Sequence, residues 1–325
     1  MRSALIILML TVMGSFMGAA RAAAGQPIPA YEATYTGTIG DKRITVFIER
    51  FADHLTGSYF YGGNRTNSLA LSGTVAGDTF DATETAAGQV TGSWNGRLTP
   101  GSIRGTWSSP DKRRVWPLSA AIAPSGKTFP YDIWIVLADG VDRAKVIKNQ
   151  LLPDACDSSE TETQVTGIEL IDRATGHAAQ TLGREMPEIL SQGTCRLFLP
   201  VVEDMNFDGW PDLRIARFLP AAPNTPYAAW LFDPTTRNLF FNHDLSNIAS
   251  PEFDGRNRRV TSTTRDSACC HTNDAFVWNG DRLRLIEETT HDYFDADCYI
   301  EKRYRMQNGR LQLAGTHKGC DRQGP

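Results

Sequence analysis

Nine consecutive residues of this 325-residue chain have the types and spacing to hold a cation: Asp204-Met205-Asn206-Phe207-Asp208-Gly209-Trp210-Pro211-Asp212. They match D-x-[DN]-x-[DN]-G with an acid at the ninth position. Ca²⁺ is a hard ion that takes six to eight oxygen ligands. The alternate spacing turns Asp204, Asn206 and Asp208 toward one centre, and Gly209 allows the sharp turn that brings in the carbonyl of Trp210. Asp212 binds directly or through water. Ile215 stands at the twelfth position, where a helical EF-hand carries its bidentate Glu. The flanks, Leu197–Val202 and Leu213–Phe218, read as strands, so the expectation is a strand–loop–strand Ca²⁺ loop of the kind found in propeller repeats. A plain Asn/Asp/Gly turn uses one or two such residues rather than four at fixed offsets.

No other set of residues suggests catalysis. The chain after its leader lacks Gly-x-Ser-x-Gly, His-Glu-x-x-His and a phosphate-cradling Gly loop. The six histidines, His54, His177, His243, His271, His291 and His317, are scattered. Glu287, Glu288, Asp292, Asp295 and Asp297 read as a solvated acidic face. The expectation is a binding protein, not an enzyme. The segment most suited to recognition is Leu219–Tyr227, with three prolines. Proline lowers the entropy lost on docking. Tyr227 is the kind of aromatic that anchors interfaces, and it equally suits the start of the next strand. Asn224 and Tyr227 are the candidate partner-binding residues.

The elements that must position these residues are strands. Residues 31–122 form a meander: Ile44–Ile48, Gly57–Tyr61, Leu69–Val75, Thr79–Thr83, Val90–Trp94, Ser102–Trp107 and Val115–Leu118. Turn residues separate them at the spacing of a sandwich or barrel. Gly57-Ser58-Tyr59, Gly92-Ser93-Trp94 and Gly105-Thr106-Trp107 repeat one pattern, which puts an aromatic on the same face as a Gly. Such aromatics fill a core, or, in a less common arrangement, line a surface that stacks a sugar. The linker is placed at Ala123–Lys127. Beyond it, Tyr131–Leu137, Val165–Ile171, Cys195–Leu199, Leu213–Phe218, Ala229–Phe232, Ala275–Trp278, Arg282–Ile286 and the run from Cys298 read as strands. Leu182–Leu190 could be a short helix, weakened by Pro187. The expected class is all-β: a barrel-like meander at 27–123, then a propeller-like Ca²⁺-binding domain at 130–322.

Residues 1–24 read as a secretory signal peptide: Arg2, the apolar run Ala4–Met17, and small residues allowing cleavage after Ala22 or Ala24. The apolar run is short for a spanning helix. A periplasmic or secreted location follows, with no membrane anchor. Residues 24–123 carry 9 basic and 8 acidic side chains, a net of +1, and residues 124–325 carry 22 and 29, a net of −7. The second half therefore repels nucleic acid and favours a basic partner or a cation. It also holds all six cysteines, which in an exported chain read as disulfides. Asn308-Gly309 predicts a two-residue hairpin turn pairing residues whose numbers sum to 617. Cys298 and Cys320 sum to 618, one residue off, which a bulge absorbs. Cys156–Cys195 is a second expected pair, leaving Cys269-Cys270 bonded to each other or free.

The second half resembles a known family. Asp204–Asp212, Pro226-Tyr227, Trp230-Leu231-Phe232-Asp233-Pro234, Leu245-Ser246, Pro251 and Phe253-Asp254 run in the order seen in the Xanthomonas periplasmic immunity protein that protects against a peptidoglycan hydrolase delivered by type IV secretion. The resemblance covers residues 130–320. It implies a propeller-like fold, Ca²⁺ at Asp204, Asn206, Asp208 and Asp212, and inhibition of a lysozyme-like enzyme. The acidic second half suits a basic target. The contrasting expectation is a cell-wall or carbohydrate-binding module without inhibitory action, using Trp94 or Trp107.

Overall fold

The computed structural model describes residues 27–62, 66–122, 127, 129–151, 162–186, 189–220, 224–267, 269–294 and 298–320. The expected signal peptide and most of the linker lie outside them, as do Asp295 and Asp297 of the acidic stretch. Each of the seven predicted strands of the first half is present and longer than the sequence marks it, and one more that the sequence pattern does not mark, Ile28–Ile39, precedes them. They are β1 (Ile28–Ile39), β2 (Lys42–Phe51), β3 (His54–Tyr61), β4 (Leu69–Ala76), β5 (Thr79–Ala86), β6 (Gln89–Thr99), β7 (Ser102–Ser108) and β8 (Val115–Ala121). Each pairs antiparallel with the next, and β8 returns to β1, Ile39 opposite Leu118 and Thr36 opposite Ala121, closing an eight-stranded barrel. Closure removes the exposed edges of an open sheet. Gly37 permits it: a Cβ there would stand 2.0 Å from the Ser119 carbonyl oxygen.

Strand β1 also carries the rest of the molecule. Its first half extends past the barrel seam and pairs with β9 (Tyr131–Leu137) at Ile28 and Pro29, and in parallel with β13 (Val201–Glu203) at Glu32 and Ala33. From β9 a small sheet continues through β10 (Glu162–Asp172) to β11 (Ala178–Leu182) and β12 (Ser191–Thr194). From β13 a meander continues through β14 (Asp212–Ala216), β15 (Tyr227–Asp233) and β16 (Asn238–Phe241). One continuous apolar core runs from barrel residues such as Tyr35 and Trp94 to Ile133, Leu213 and Trp230. Arg173 pairs with both Asp78 of the barrel and Asp132 of β9. The all-β expectation holds and the barrel is closed. A propeller is not shown, because β13–β16 hydrogen-bond to the barrel strand β1 as one sheet.

A separate six-stranded antiparallel sheet follows: β17 (Pro251–Asp254), β18 (Arg259–Arg265), β19 (Cys270–Asn279), β20 (Arg282–Tyr293), β21 (Cys298–Gln307) and β22 (Arg310–Cys320). Asn308 and Gly309 both adopt positive φ, 51° and 76°, as the hairpin turn requires. The register runs at a sum of 617 from the turn to Tyr304–Leu313. There it slips by one residue and continues at 618 from Arg303–Gly315 to Cys298–Cys320. The bulge absorbs the offset, and Cys298 and Cys320 are disulfide-bonded. Cys269 and Cys270 are bonded to each other. Cys195 is disulfide-bonded; its expected partner Cys156 lies outside the described residues. The Cys298–Cys320 bond closes 22 residues, a loop for which chain entropy gives about 3 kcal/mol. Strands β21 and β22 are largely solvent-facing, so the loss should be local. Cys298→Ser with Cys320→Ser is expected to speed amide exchange across β21–β22 while leaving the barrel amides protected.

Two local expectations are corrected, and two helices appear that the sequence pattern does not mark. Cys195–Leu199 is not a strand: Cys195 takes a left-handed φ of 64° and the Leu197 N–H donates to Gln150 rather than to a ladder. Residues 182–190 hold no helix among those described; β11 ends at Leu182 and a turn follows, with Pro187 outside the described residues. A helix does form at α1 (Arg143–Leu151), capped by Asp142, whose Oδ1 accepts the N–H of Ala144 and Lys145. Its apolar content is too low for a periodicity search to find it. A single turn, α2 (His243–Ser246), follows β16.

Candidate functional site

The Asp204–Asp212 loop connects β13 to β14 and has two faces. Asp204 accepts the N–H of Asp208 on Oδ1, at 3.1 Å, and that of Gly209 on Oδ2, at 2.9 Å. Asn206 Oδ1 accepts the Asp208 N–H, and Asp208 Oδ1 accepts the Trp210 N–H at 2.7 Å. The backbone is thus wound around three oxygen-bearing side chains. The intervening residues point the other way. Met205 and Phe207 are buried in a second apolar core with Ala229, Leu245 and Val260, against Phe276 and Leu283 of the six-stranded sheet. The Met205 carbonyl accepts Trp278 Nε1–H at 3.0 Å. Gly209 takes a φ of 88° and Phe207 one of 62°. The loop is therefore a joint between the two sheets.

Asp212, on β14, is 0% exposed. Its Oδ2 accepts the Met205 N–H and its Oδ1 the Phe232 N–H, both at 2.8 Å. Burial pushes its carboxyl well above the ordinary range, against the pull of those two N–H groups, and the charges of Asp208 and Asp204 add to the rise. Asp204 is raised as well, by burial and by Asp208. Among the described residues, no three Asp, Glu, His or Cys side chains converge as a ready metal cage. The donor types still suit Ca²⁺: every side chain is a hard oxygen ligand, and each carboxylate oxygen has a lone pair to spare after its N–H. The Lys127 ammonium already donates to the Asp208 carbonyl at the edge of the loop, 2.7 Å away.

The Pro-rich segment is tethered at its far end. Asn224 clamps the Arg265 backbone, its Nδ2 donating to the carbonyl at 2.9 Å and its Oδ1 accepting the N–H at 2.8 Å. Tyr227 is half-buried, with the Arg214 guanidinium 4.3 Å from its ring centroid. Residues 221–223 lie outside the described residues. At the near end, Phe218 and Leu219 are 47% and 72% exposed. They form the rim of a cleft of about 810 Å³ bounded by the barrel wall, α1 and β12.

The repeated Gly-x-aromatic pattern converges on a residue the sequence did not flag. Glu84 of β5 is 3% exposed inside the barrel. Its Oε2 accepts Tyr59 Oη–H at 2.6 Å, Trp107 Nε1–H at 2.6 Å and Trp94 Nε1–H at 3.1 Å, and its Oε1 accepts Thr91 Oγ1–H at 2.7 Å. Trp107 reaches it over Gly92, where a Cβ would stand 2.4 Å from the indole nitrogen. These aromatics are buried, so Trp94 and Trp107 do not form an exposed sugar-stacking row. Three of the histidines also share one cross-strand row, His271, His291 and His317, with Glu301 between the last two. The His271 and His291 rings stack 4.4 Å apart rather than aim at a common point. No helix among the described residues is long and apolar enough to cross a membrane.

No protein-family model matches the chain, and neither does any curated protein. Among solved structures, a Xanthomonas protein related to the type IV secretion system is similar at a TM-score of 0.41 and 19% identity, over 56% of this chain and 89% of its own. A Lactobacillus plantarum protein is similar at 0.21 and 10%, over 88% and 96%. Both TM-scores are below 0.5, and neither likeness bears on function.

Proposed function

We propose that this is an exported periplasmic binding protein that inhibits a lysozyme-like peptidoglycan hydrolase, as immunity against a secreted effector. The single observation that carries the reading is the Phe218-Leu219 step, two large exposed apolar side chains at the start of a segment whose far end Asn224 ties to the Arg265 backbone. Asn224 and Tyr227 hold that loop in place for the enzyme. The net charge of −7 over residues 124–325 supports a basic target by raising the association rate. The Cys298–Cys320 bond suits an oxidising compartment. On this reading β13–β16 and β17–β20 are blade-like units of an incomplete propeller. The test is lysis of peptidoglycan by several lysozyme types, with and without the purified protein. Slowed lysis is the expected result, and no slowing with any type rejects the reading.

In the same proposal Ca²⁺ is a brace. Asp204, Asn206, Asp208 and the Trp210 carbonyl would hold it, with Asp212 behind them. Bound there, the ion would offset the crowded carboxylates and lock the joint to which Met205 and Phe207 are anchored. Ca²⁺ at 100 times its dissociation constant is expected to add about 2.7 kcal/mol. Thermal unfolding with Ca²⁺ and with chelator measures it. Asp204→Ala should abolish the difference, and equal Tm values for the unaltered protein in both buffers would remove the metal.

A further inference from the structure

The charged groups of the 810 Å³ cleft fall into two kinds. Glu49 of β2 is satisfied: its Oε1 accepts Arg196 Nη2–H and Gln150 Nε2–H, each at 3.0 Å. Glu32 of β1 and Arg217 are not. Among the described residues neither side chain makes a hydrogen bond or an ion pair, and Arg217 Nε is shut from solvent without an acceptor. Glu32 stands directly across the β1–β2 ladder from Glu49, a like-charge pairing that disfavours the sheet. An acid and a base that line the same cleft, and do not neutralise each other, leave room for a visitor that carries both charges.

We propose that the cleft binds a small zwitterion, an amino acid or short peptide, whose ammonium group meets Glu32 and whose carboxylate meets the Arg217 guanidinium. A simple cation would leave Arg217 unpaired and a simple anion would leave Glu32 so. The guanidinium fork matches a carboxylate in two parallel hydrogen bonds. The volume lies in the range of small-molecule sites, about 300–1,000 Å³, and Leu190 and Phe198 give the ligand's apolar part a wall. The groups that act on Glu32 are Glu49 from β2, Arg196 from the segment after β12 and Arg214 from β14. Burial in the cleft, then the charge of Glu49, push its carboxyl up to about 7, against the two arginines. An ammonium ligand needs the ionised form, so binding tightens as pH rises through that value.

Calorimetry on the full chain tests this with three probes: alanylalanine, its N-acetyl form and its carboxamide. The unmodified dipeptide is expected to saturate, each blocked form to bind at least about tenfold more weakly, and affinity at pH 6 to fall several-fold below that at pH 7.5. Glu32→Gln should erase the preference for the free amine alone, and Arg217→Gln the preference for the free carboxylate alone, with a Tm no lower than the parent's in either case, since Glu32→Gln relieves the repulsion of Glu49 and Arg217 makes no ion pair. No saturation by the dipeptide, blocked forms that bind as well as the dipeptide, or variants that keep both preferences would each overturn the assignment.

Discussion

Glu84→Ala is expected to cost the protein about 4 kcal/mol and to lower its urea midpoint accordingly. The carboxylate accepts four hydrogen bonds in a site from which water is excluded, three of them on one oxygen. Truncation leaves the Trp94 and Trp107 indoles as buried donors without an acceptor, at about 1–3 kcal/mol each before relaxation, and leaves the Tyr59 hydroxyl only the longer contact to Tyr61 Oη, at 3.3 Å. Tyr59 cannot escape by losing its proton, since burial alone holds its hydroxyl above the ordinary range once Glu84 is gone. Two controls separate the causes. Glu84→Gln keeps a carbonyl oxygen for the three donors and turns its amide toward Thr91, whose hydroxyl can rotate to accept; less than about 2 kcal/mol should be lost. Trp107→Phe removes one donor while retaining the stack on Trp116, 4.7 Å between centroids, and should cost about 1–2 kcal/mol. Tryptophan fluorescence in urea reads all three. A Glu84→Ala variant within about 1 kcal/mol of the parent would show that the hub is not what holds the barrel. A Glu84→Gln variant as damaged as the alanine variant would assign the effect to charge instead of to the acceptor.

The hub escaped the sequence for a physical reason. The three Gly-x-aromatic steps were visible, and so was their placement on one face of a strand. Their common target was not, because an acid between two threonines looks like any solvent-facing strand residue. The signal lay in the alternation: Phe80, Ala82 and Glu84 are all inward positions of β5, so the glutamate occupies a core position and must find partners. The Cys298–Cys320 pair was legible even to its one-residue offset, because a two-residue turn fixes a register over the whole hairpin. The Ca²⁺ motif was legible as a loop with oxygen side chains. Its second role, with Met205 and Phe207 driven into another core, depends on the packing of β17–β20 and has no trace in the local pattern. The cleft was invisible for a related reason. Glu32 and Glu49 come together through a strand pairing, and Arg217 reaches the same cleft from far along the chain, where no spacing rule operates.

These placements change which residues should matter for a partner. Asn224 is hydrogen-bonded to the Arg265 backbone and Tyr227 stacks on Arg214, so both residues also brace the segment that follows Phe218 and Leu219. Phe218 and Leu219 are the exposed large apolar side chains at the near end of that segment. Phe218→Ala combined with Leu219→Ala is therefore expected to raise the protein concentration needed for half-inhibition of lysozyme by about 100-fold or more. Two central apolar anchors are worth about 2 kcal/mol each, and about 1.4 kcal/mol is tenfold. Alanine keeps the charge, so the association rate and its salt dependence should hold while the complex dissociates faster. The Tm should not fall, because neither side chain is buried. Tyr227→Ala should behave differently: it strips the stack from Arg214, lowers Tm, and weakens inhibition only as far as the loop loosens. An alanine pair that inhibits like the parent would take the loop tip out of the interface, whatever Tyr227→Ala does.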